Sequence, residues 1–160
     1  MKQLQGDIWE QEVDAICITT NGTLKCDGCA VMGAGVAKQA AQRFPQIPSL
    51  LGEHIKQIGN HVNVLNFLTR PSEQECKCPK YTYLVAFPVK HNWFEKADPA
   101  LIEKSCQELV DITTKAGWEN VILPRPGCDN GKLDWKDVEP ICAKYFDDRF
   151  TIVDLKGENK

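Results

Sequence analysis

Apolar positions along the chain switch between a two-residue period and a period of three to four residues, which predicts alternating strands and helices. Short apolar or β-branched runs predict strands at residues 2–4, 13–20, 62–68, 81–87, 119–123 and 150–155. Helical spacing predicts helices at about 36–43, 47–58 and 99–116, with a last helix after residue 137. The order β-β-α-α-β-β-α-β-α-β favours a three-layer α/β/α fold around a mixed, largely parallel, six-stranded sheet.

Proline, glycine and aspartate mark several of the predicted boundaries. Asp98-Pro99 is typical of a helix start, with aspartate as the N-cap and proline in the first turn. Gly117 ends that helix, and Pro88 is expected to end the fourth strand. We prefer Asp137 over Asp134 as the N-cap of the last helix, because Pro140 then falls in the first turn, where its missing N–H is harmless.

Length and composition are those of an ordinary globular protein. The 160 residues are 42% hydrophobic and 26% charged, which predicts a single domain over residues 1–156 with a polar tail at 157–160. The formal net charge of -3 gives no overall attraction to nucleic acid or to an anionic membrane. Without a signal peptide or an apolar run of membrane-spanning length, we expect a cytoplasmic monomer with no membrane association.

Eight cysteines are present, and in a reducing compartment we expect them to be thiols. Cys17, Cys106 and Cys142 fall on apolar faces, which indicates core residues.

A glycine loop leads directly into the first helix and is the first candidate for chemistry. Gly33 and Gly35 follow a strand and precede a helix, and the free N–H groups of a helix start can hold an anion. The loop is not a G-x-G-x-x-G fingerprint, because Lys38 occupies the third glycine position, and it is not a P-loop. A tight strand-to-helix turn that binds nothing would look the same.

Two further loops follow predicted strands. Residues 124–135 form a second glycine-rich turn after the apolar strand at 119–123, and residues 87–93 follow another strand. In open α/β sheets, ligands bind outside the carboxyl ends of the strands. The two glycine turns could therefore hold a diphosphate between their backbone N–H groups.

Four stretches in order, spanning nearly the whole chain, resemble a macro domain, the fold that binds ADP-ribose. They are Gly6-Asp7-Ile8, Thr20-Asn21-Gly22, Ala30-Val31-Met32-Gly33-Ala34-Gly35-Val36-Ala37 and Pro126-Gly127-Cys128-Asp129-Asn130-Gly131-Lys132-Leu133-Asp134-Trp135. Together with Phe87-Pro88-Val89-Lys90, these stretches are similar in sequence to one branch of the family. That branch includes antitoxin macro domains that remove ADP-ribose from DNA thymidine, terminal ADP-ribose glutamate hydrolases, and stand-alone phage and bacterial relatives.

The resemblance implies a role for each matching residue. Asp7 would accept a hydrogen bond from the adenine amino group, with Ile8 adjacent, and Asn21 would hold the distal ribose. Lys90 would be the catalytic lysine, with Asn21 and Asp129 as further catalytic residues. The remaining ligand-binding residues would be Thr20, Met32, Gly33, Ala34, Gly35, Val36, Pro126, Gly127, Cys128, Asn130, Gly131, Lys132 and Leu133. No cofactor would be required, and the ligand would be ADP-ribose.

The second loop departs from the branch at two positions. Asp129 stands where glycine is usual, and Lys132 where a small residue is usual. A carboxylate repels a diphosphate unless Lys132 offsets its charge. Alternatively, Asp129 supplies an acid that other relatives carry nearby.

The resemblance implies hydrolysis of ADP-ribosyl linkages on nucleic acid or protein. Lys90 would donate a proton, or attack as a nucleophile if its pKa is lowered. Alternatives are removal of phosphate from ADP-ribose 1″-phosphate, non-catalytic reading of ADP-ribose, and a nucleotide-binding scaffold unrelated to ADP-ribose.

Each of three groups of residues has two possible interpretations. Cys26, Cys29, Cys76 and Cys78 could form a four-thiolate zinc site or be unrelated surface thiols. Lys77, Lys80, Lys96 and Arg125 could form a basic rim for nucleic acid or be ordinary solvated charges. His91 and Trp93 could line the pocket or simply pack within an exposed loop.

Overall fold

The computed structural model describes residues 1–69 and 81–155, which form six strands and four α-helices in the predicted order. The strands are β1 (Lys2–Gly6), β2 (Ala15–Asn21), β3 (Asn63–Thr69), β4 (Tyr81–Lys90), β5 (Val121–Pro124) and β6 (Phe150–Leu155). The helices are α1 (Gly35–Arg43), α2 (Ile47–Ile58), α3 (Pro99–Ala116) and α4 (Trp135–Tyr145), and a 3₁₀ turn covers Ile8–Glu10.

The six strands form one sheet with the order β1-β6-β5-β2-β4-β3. Neighbouring strands are parallel except β3, which runs antiparallel to β4 at one edge. The predicted mixed, largely parallel sheet is confirmed. Since β2, β4, β5 and β6 run in the same direction, their carboxyl ends meet at one edge, and so do the loops that follow them.

Two apolar clusters cover the two faces of the sheet, and the central strands divide their side chains between them. In β2, Cys17 joins the cluster that includes α3 and α4, whereas Ile16 and Ile18 join the cluster that includes α1 and α2. Leu123 and Ile122 of β5 divide in the same way. Because strand side chains alternate between faces, a continuous apolar run is required where both faces are covered.

The three cysteines predicted for the core, Cys17, Cys106 and Cys142, are fully buried free thiols. Burial raises the pKa of Cys17, and a hydrogen bond with Cys142 followed by burial raises the pKa of Cys106. Such thiols remain protonated and act as small apolar residues.

Two predicted boundaries are wrong. β4 continues through Pro88 to Lys90. Its ladder with β3 ends at Ala86, so the missing N–H of Pro88 interrupts no hydrogen bond to β3. α4 begins after Asp134 rather than Asp137, because the Asp134 carbonyl accepts the N–H groups of Asp137 and Val138 at 3.0 and 3.2 Å. Pro140 consequently lies inside the helix.

The N-cap at Asp98 is confirmed, as its carboxylate accepts the Ala100 N–H at 3.0 Å, and Gly117 ends α3 in the left-handed conformation. Across residues 1–69 and 81–155, we find no helix that combines the length and apolar character needed to span a membrane.

Candidate functional site

A cavity of about 720 Å³ opens at the carboxyl edge of the parallel strands. The ends of β2, β4, β5 and β6 contribute to it, together with the loops that follow β2, β4 and β5. The strand-end loops predicted to converge therefore do so, at the edge where α/β sheets bind ligands.

The first glycine loop forms one wall. Gly33, Ala34, Gly35 and Val36 all line the cavity, and α1 begins at Gly35. Ala34, the N-cap residue, provides no side-chain hydrogen bond to the helix. The first-turn N–H groups are thus left for an anionic ligand.

The second glycine loop forms the facing wall. Gly127, Asp129, Asn130, Gly131 and Lys132 line the cavity. The loop is closed by hydrogen bonds from the Leu133 N–H to the Gly127 carbonyl at 2.9 Å and from the Lys132 N–H to the Asp129 carbonyl at 3.0 Å.

The two glycine loops approach each other at Gly35. A Cβ placed there would lie 3.2 Å from Asn130 Nδ2 and 3.9 Å from Asp129 Oδ2. Both loops line the same cavity, as the binding of a diphosphate between their backbone N–H groups would require.

Lys132 has a φ of 61°, the one positive value among the non-glycine residues that the structure describes. A lysine in this left-handed conformation carries backbone strain. The side chain nevertheless lies close enough to Lys90 to affect its ionisation.

Lys90 ends β4 and lines the cavity, and its Nζ donates to the Trp93 carbonyl at 3.3 Å. Burial, with a smaller contribution from the positive charge of Lys132, lowers the pKa of Lys90. A larger fraction of this side chain is therefore an unprotonated amine at a given pH than for a solvated lysine.

Asn21 is held by its neighbours. Its Nδ2 donates to the Val31 carbonyl at 3.1 Å, and its Oδ1 accepts the Thr23 N–H at 2.9 Å. The adjacent Thr20 hydroxyl is buried without a hydrogen-bond partner among the described residues. Both residues line the cavity, and the unpaired Thr20 hydroxyl lies beneath its surface.

The predicted adenine residues lie beside the cavity rather than in its lining. Asp7 is exposed and its carboxylate accepts the Trp9 N–H at 2.8 Å, while Ile8 is fully buried. Gly6 pairs with Leu155, which does line the cavity. Asp7 therefore stands at the β1 and β6 end of the same edge.

Four other predicted ligand residues also lie outside the lining. Met32 and Pro126 are buried, and Cys128 and Leu133 line a separate hollow of about 340 Å³. Side chains of consecutive loop residues point in different directions, so a contiguous motif does not place all its members at the cavity.

Several lining residues were not predicted: Thr19, Val31, Ala37, Val89, Phe94, Glu95, Pro124 and Leu155. Trp93, Lys96 and Arg125 were considered and do line the cavity. The signal that could have found Phe94 is its position beside Trp93 in an otherwise polar loop.

The proposed zinc site stays a prediction. Cys26 is exposed and Cys29 is partly buried, whereas Cys76 and Cys78, like Lys77 and Lys80, lie outside the described residues. Within 1–69 and 81–155, no three metal-binding side chains cluster.

The chain belongs to the macro domain family, whose model matches residues 19–142. Curated relatives include a DNA ADP-ribosyl glycohydrolase of Mycobacterium tuberculosis, 28% identical over 141 residues, covering 88% of this chain and 37% of the relative. A DNA ADP-ribosyl transferase-DNA ADP-ribosyl glycohydrolase fusion protein of Thermosipho africanus is 22% identical over 153 residues, covering 89% of this chain and 38% of the relative. The chain thus spans less than two fifths of these relatives.

Solved structures show the same fold. The macrodomain of Mycobacterium tuberculosis DarG aligns with a TM-score of 0.72 and 24% identity, covering 95% of this chain and 97% of that one. Thermosipho africanus DarTG in complex with ADP-ribose aligns with a TM-score of 0.74 and 20% identity, covering 99% of this chain and 43% of that one.

Proposed function

We propose that this chain binds ADP-ribose and hydrolyses ADP-ribosyl linkages, with a modified DNA base as the acceptor. The observation that carries the proposal is the cavity of about 720 Å³ lined by both glycine loops, with Lys90 in its wall. The relatives named for DNA ADP-ribosyl glycohydrolase activity support DNA as the acceptor.

In the proposed complex, ADP-ribose lies along the carboxyl edge of the sheet. The adenine lies at the β1 and β6 end, beside Asp7 and Ile8. The diphosphate lies between residues 33–36 and 127–131, where backbone N–H groups and the start of α1 compensate its charge. The distal ribose reaches Asn21, and its anomeric carbon faces Lys90.

Lys90 provides the chemistry. With its lowered pKa, the unprotonated amine adds to the anomeric carbon as the bond to the base breaks, and the departing base takes up the proton that the new ammonium centre on Lys90 loses. Water then releases ADP-ribose and regenerates the amine. Lys132 favours this route by holding a second positive charge beside Lys90. A protonated Lys90 that only donates a proton to the base is the alternative, and the pH dependence separates the two.

Binding is tested first, by calorimetry and thermal shift with free ADP-ribose. A bound ligand raises the melting temperature by mass action, so no shift and no heat would contradict the proposal. ADP and ATP are the matched ligands, and a shift with these but not with ADP-ribose would indicate a nucleotide-binding scaffold.

Hydrolysis is tested by the release of free ADP-ribose from an ADP-ribosylated oligonucleotide. Lys90→Ala should abolish release while ADP-ribose binding persists, and Lys115→Ala, at an exposed position on α3, is the matched control. Full activity in Lys90→Ala would overturn the lysine mechanism. Binding by the unaltered protein without any release would identify a reader, and turnover of ADP-ribose 1″-phosphate alone would identify a phosphatase.

A further inference from the structure

The two most exposed large apolar side chains in the described part of the chain are neighbours at the cavity. Trp93 is 56% exposed and Phe94 is 69% exposed. Their rings contact edge to face, with centroids 5.8 Å apart and planes at 89°, and both residues line the cavity. Large rings left in water beside a binding site indicate a recognition surface.

The backbone that carries these rings is held on one side by the residues that follow β2 and on the other by the second glycine loop. The Gly22 N–H donates to the His91 carbonyl at 3.1 Å, and the Trp93 N–H donates to Thr23 Oγ1 at 2.9 Å. On the far side, the Ala97 N–H donates to the Gly131 carbonyl at 3.0 Å. The rings are therefore presented from a fixed segment, which reduces the entropy lost when they bind.

Trp93 and Phe94 lie at the acceptor end of the site. They follow β4, whereas Asp7 follows β1, and the sheet order places four strand spacings between those strands, or roughly 19 Å. With the adenine beside Asp7, the rings cannot stack on it. They lie next to Lys90, where the ADP-ribosyl bond meets its acceptor.

The charges that line the cavity favour a polyanion. Three lysines, Lys90, Lys96 and Lys132, line it together with two carboxylates, Glu95 and Asp129, whereas Arg125, which also lines it, pairs with Asp154 of β6 at 3.7 Å. The chain as a whole has a net charge of -3, so this positive wall is a local feature. Cationic side chains interleaved with exposed aromatic rings are typical of surfaces that bind single-stranded nucleic acid.

We propose that Trp93 and Phe94 form a stacking surface for an unpaired nucleobase next to the modified one. The inference rests on the proposed function and adds a contact beyond the modified base. A base presents a flat face to these rings whatever its identity. A duplex keeps its neighbouring bases stacked on each other and offers no such face.

The test compares Trp93→Ala, Phe94→Ala and the double variant on oligonucleotides with one ADP-ribosylated base. On single-stranded substrate, kcat/KM should fall by roughly 10- to 100-fold in the double variant, as for the loss of one base–aromatic stack. The affinity for free ADP-ribose should stay within about threefold. When the nucleotides beside the modified base are abasic, the variant and the unaltered protein should release ADP-ribose at the same rate.

Two controls separate stacking from general damage. Trp93→Tyr and Phe94→Tyr keep a ring and should retain most of the activity. Phe67→Ala removes another exposed aromatic side chain, which is 54% exposed on β3 and lies outside the cavity. This variant should leave kcat/KM on single-stranded substrate unchanged.

Equal rates for the double variant and the unaltered protein on intact single-stranded substrate would overturn the inference. So would an equal loss on abasic substrate, on an ADP-ribosylated peptide, or in affinity for free ADP-ribose. Binding of an unmodified single-stranded oligonucleotide is measured separately by fluorescence anisotropy. If the protein neither binds nor releases ADP-ribose, the proposed function fails. Oligonucleotide binding that depends on the two rings would still support the stacking surface in that case. Without such binding, the stacking surface would be overturned as well.

Discussion

Asn21 stands directly opposite Lys90 across β2 and β4, although the regular register would pair it with Val89. Thr20 pairs with Pro88, and the next residue of β2 skips one position of β4. Such an irregularity at a strand end redirects the side chains that follow it. Here it brings the two residues expected to hold the ribose and cleave its bond to adjacent positions in the cavity wall.

The charge of Lys132 should set the pH dependence of the reaction. Because the pKa of Lys90 is lowered by burial and then by Lys132, Lys132→Asn should raise that pKa and move the corresponding limb of the kcat/KM profile to higher pH. Asparagine is chosen because it tolerates the left-handed backbone at this position. Steady-state rates across the alkaline range provide the measurement.

The direction of that limb identifies the role of Lys90. A nucleophilic amine gives a rate that rises with pH to a plateau above its pKa, whereas a proton donor gives a rate that falls. Lys132→Arg keeps the charge and should leave the midpoint in place. An unmoved midpoint in Lys132→Asn would show that the two lysines are not coupled.

Gly35→Ala should weaken both the fold and the binding of ADP-ribose. The residue has a φ of 59°, and an added Cβ would press on Asn130 of the opposite loop. We expect a loss of about 1–2 kcal/mol in the free energy of unfolding and a Kd for ADP-ribose raised by about tenfold or more. Thermal denaturation and calorimetry provide the two measurements.

Gly33→Ala is the matched control for stability, because a Cβ there would meet nothing within 4 Å. Its melting temperature should equal that of the unaltered protein. Equal melting temperatures for both alanine variants would mean that the two loops do not constrain each other.

Asp98→Ala should destabilise α3 and the segment that precedes it. The carboxylate caps the Ala100 N–H and pairs with His91 Nε2 at 2.8 Å. Loss of an N-cap costs about 1 kcal/mol, or a fall of about 2–4 °C in melting temperature for a domain of this size. Asp98→Asn keeps a capping oxygen and should recover most of that loss.

The fall of the melting temperature at acid pH should report the ionisation of Asp98. Its hydrogen bond with His91, and then that with the Ala100 N–H, lowers its pKa from the ordinary value of 3.8. The stability linked to this shift is present above the ordinary value and is lost as the pH falls toward the lower pKa of the folded state. Melting temperatures of Asp98→Asn should therefore fall less steeply below that value, and parallel curves would contradict the assignment.

Pro140→Ala should stabilise the protein. Pro140 is exposed inside α4 and cannot donate to the Lys136 carbonyl, so alanine restores a helical hydrogen bond and loses little packing. We expect a gain of about 1 kcal/mol, since the greater freedom of the unfolded chain offsets part of the benefit. Chemical denaturation gives the measurement, and a loss of stability would show that the proline fits this helix without strain.

The sequence by itself determined the order of strands and helices, the doubly covered central strand and the buried cysteines. Apolar period is a local property of the chain, and the alternation of Ile16, Cys17 and Ile18 between two clusters follows from strand geometry alone. The macro domain resemblance, read from four short stretches, is confirmed by the family match over residues 19–142.

Only the tertiary structure decided which residues meet. Three features depend on strands and loops far apart in sequence: the path of β4 through Pro88, the pairing of Asn21 with Lys90, and the approach of the Asn130 side chain to Gly35. The placement of Trp93 and Phe94 at the cavity mouth has the same origin. Local pattern specifies the period of each element, but register and loop contact are set by the packing of distant segments against one another.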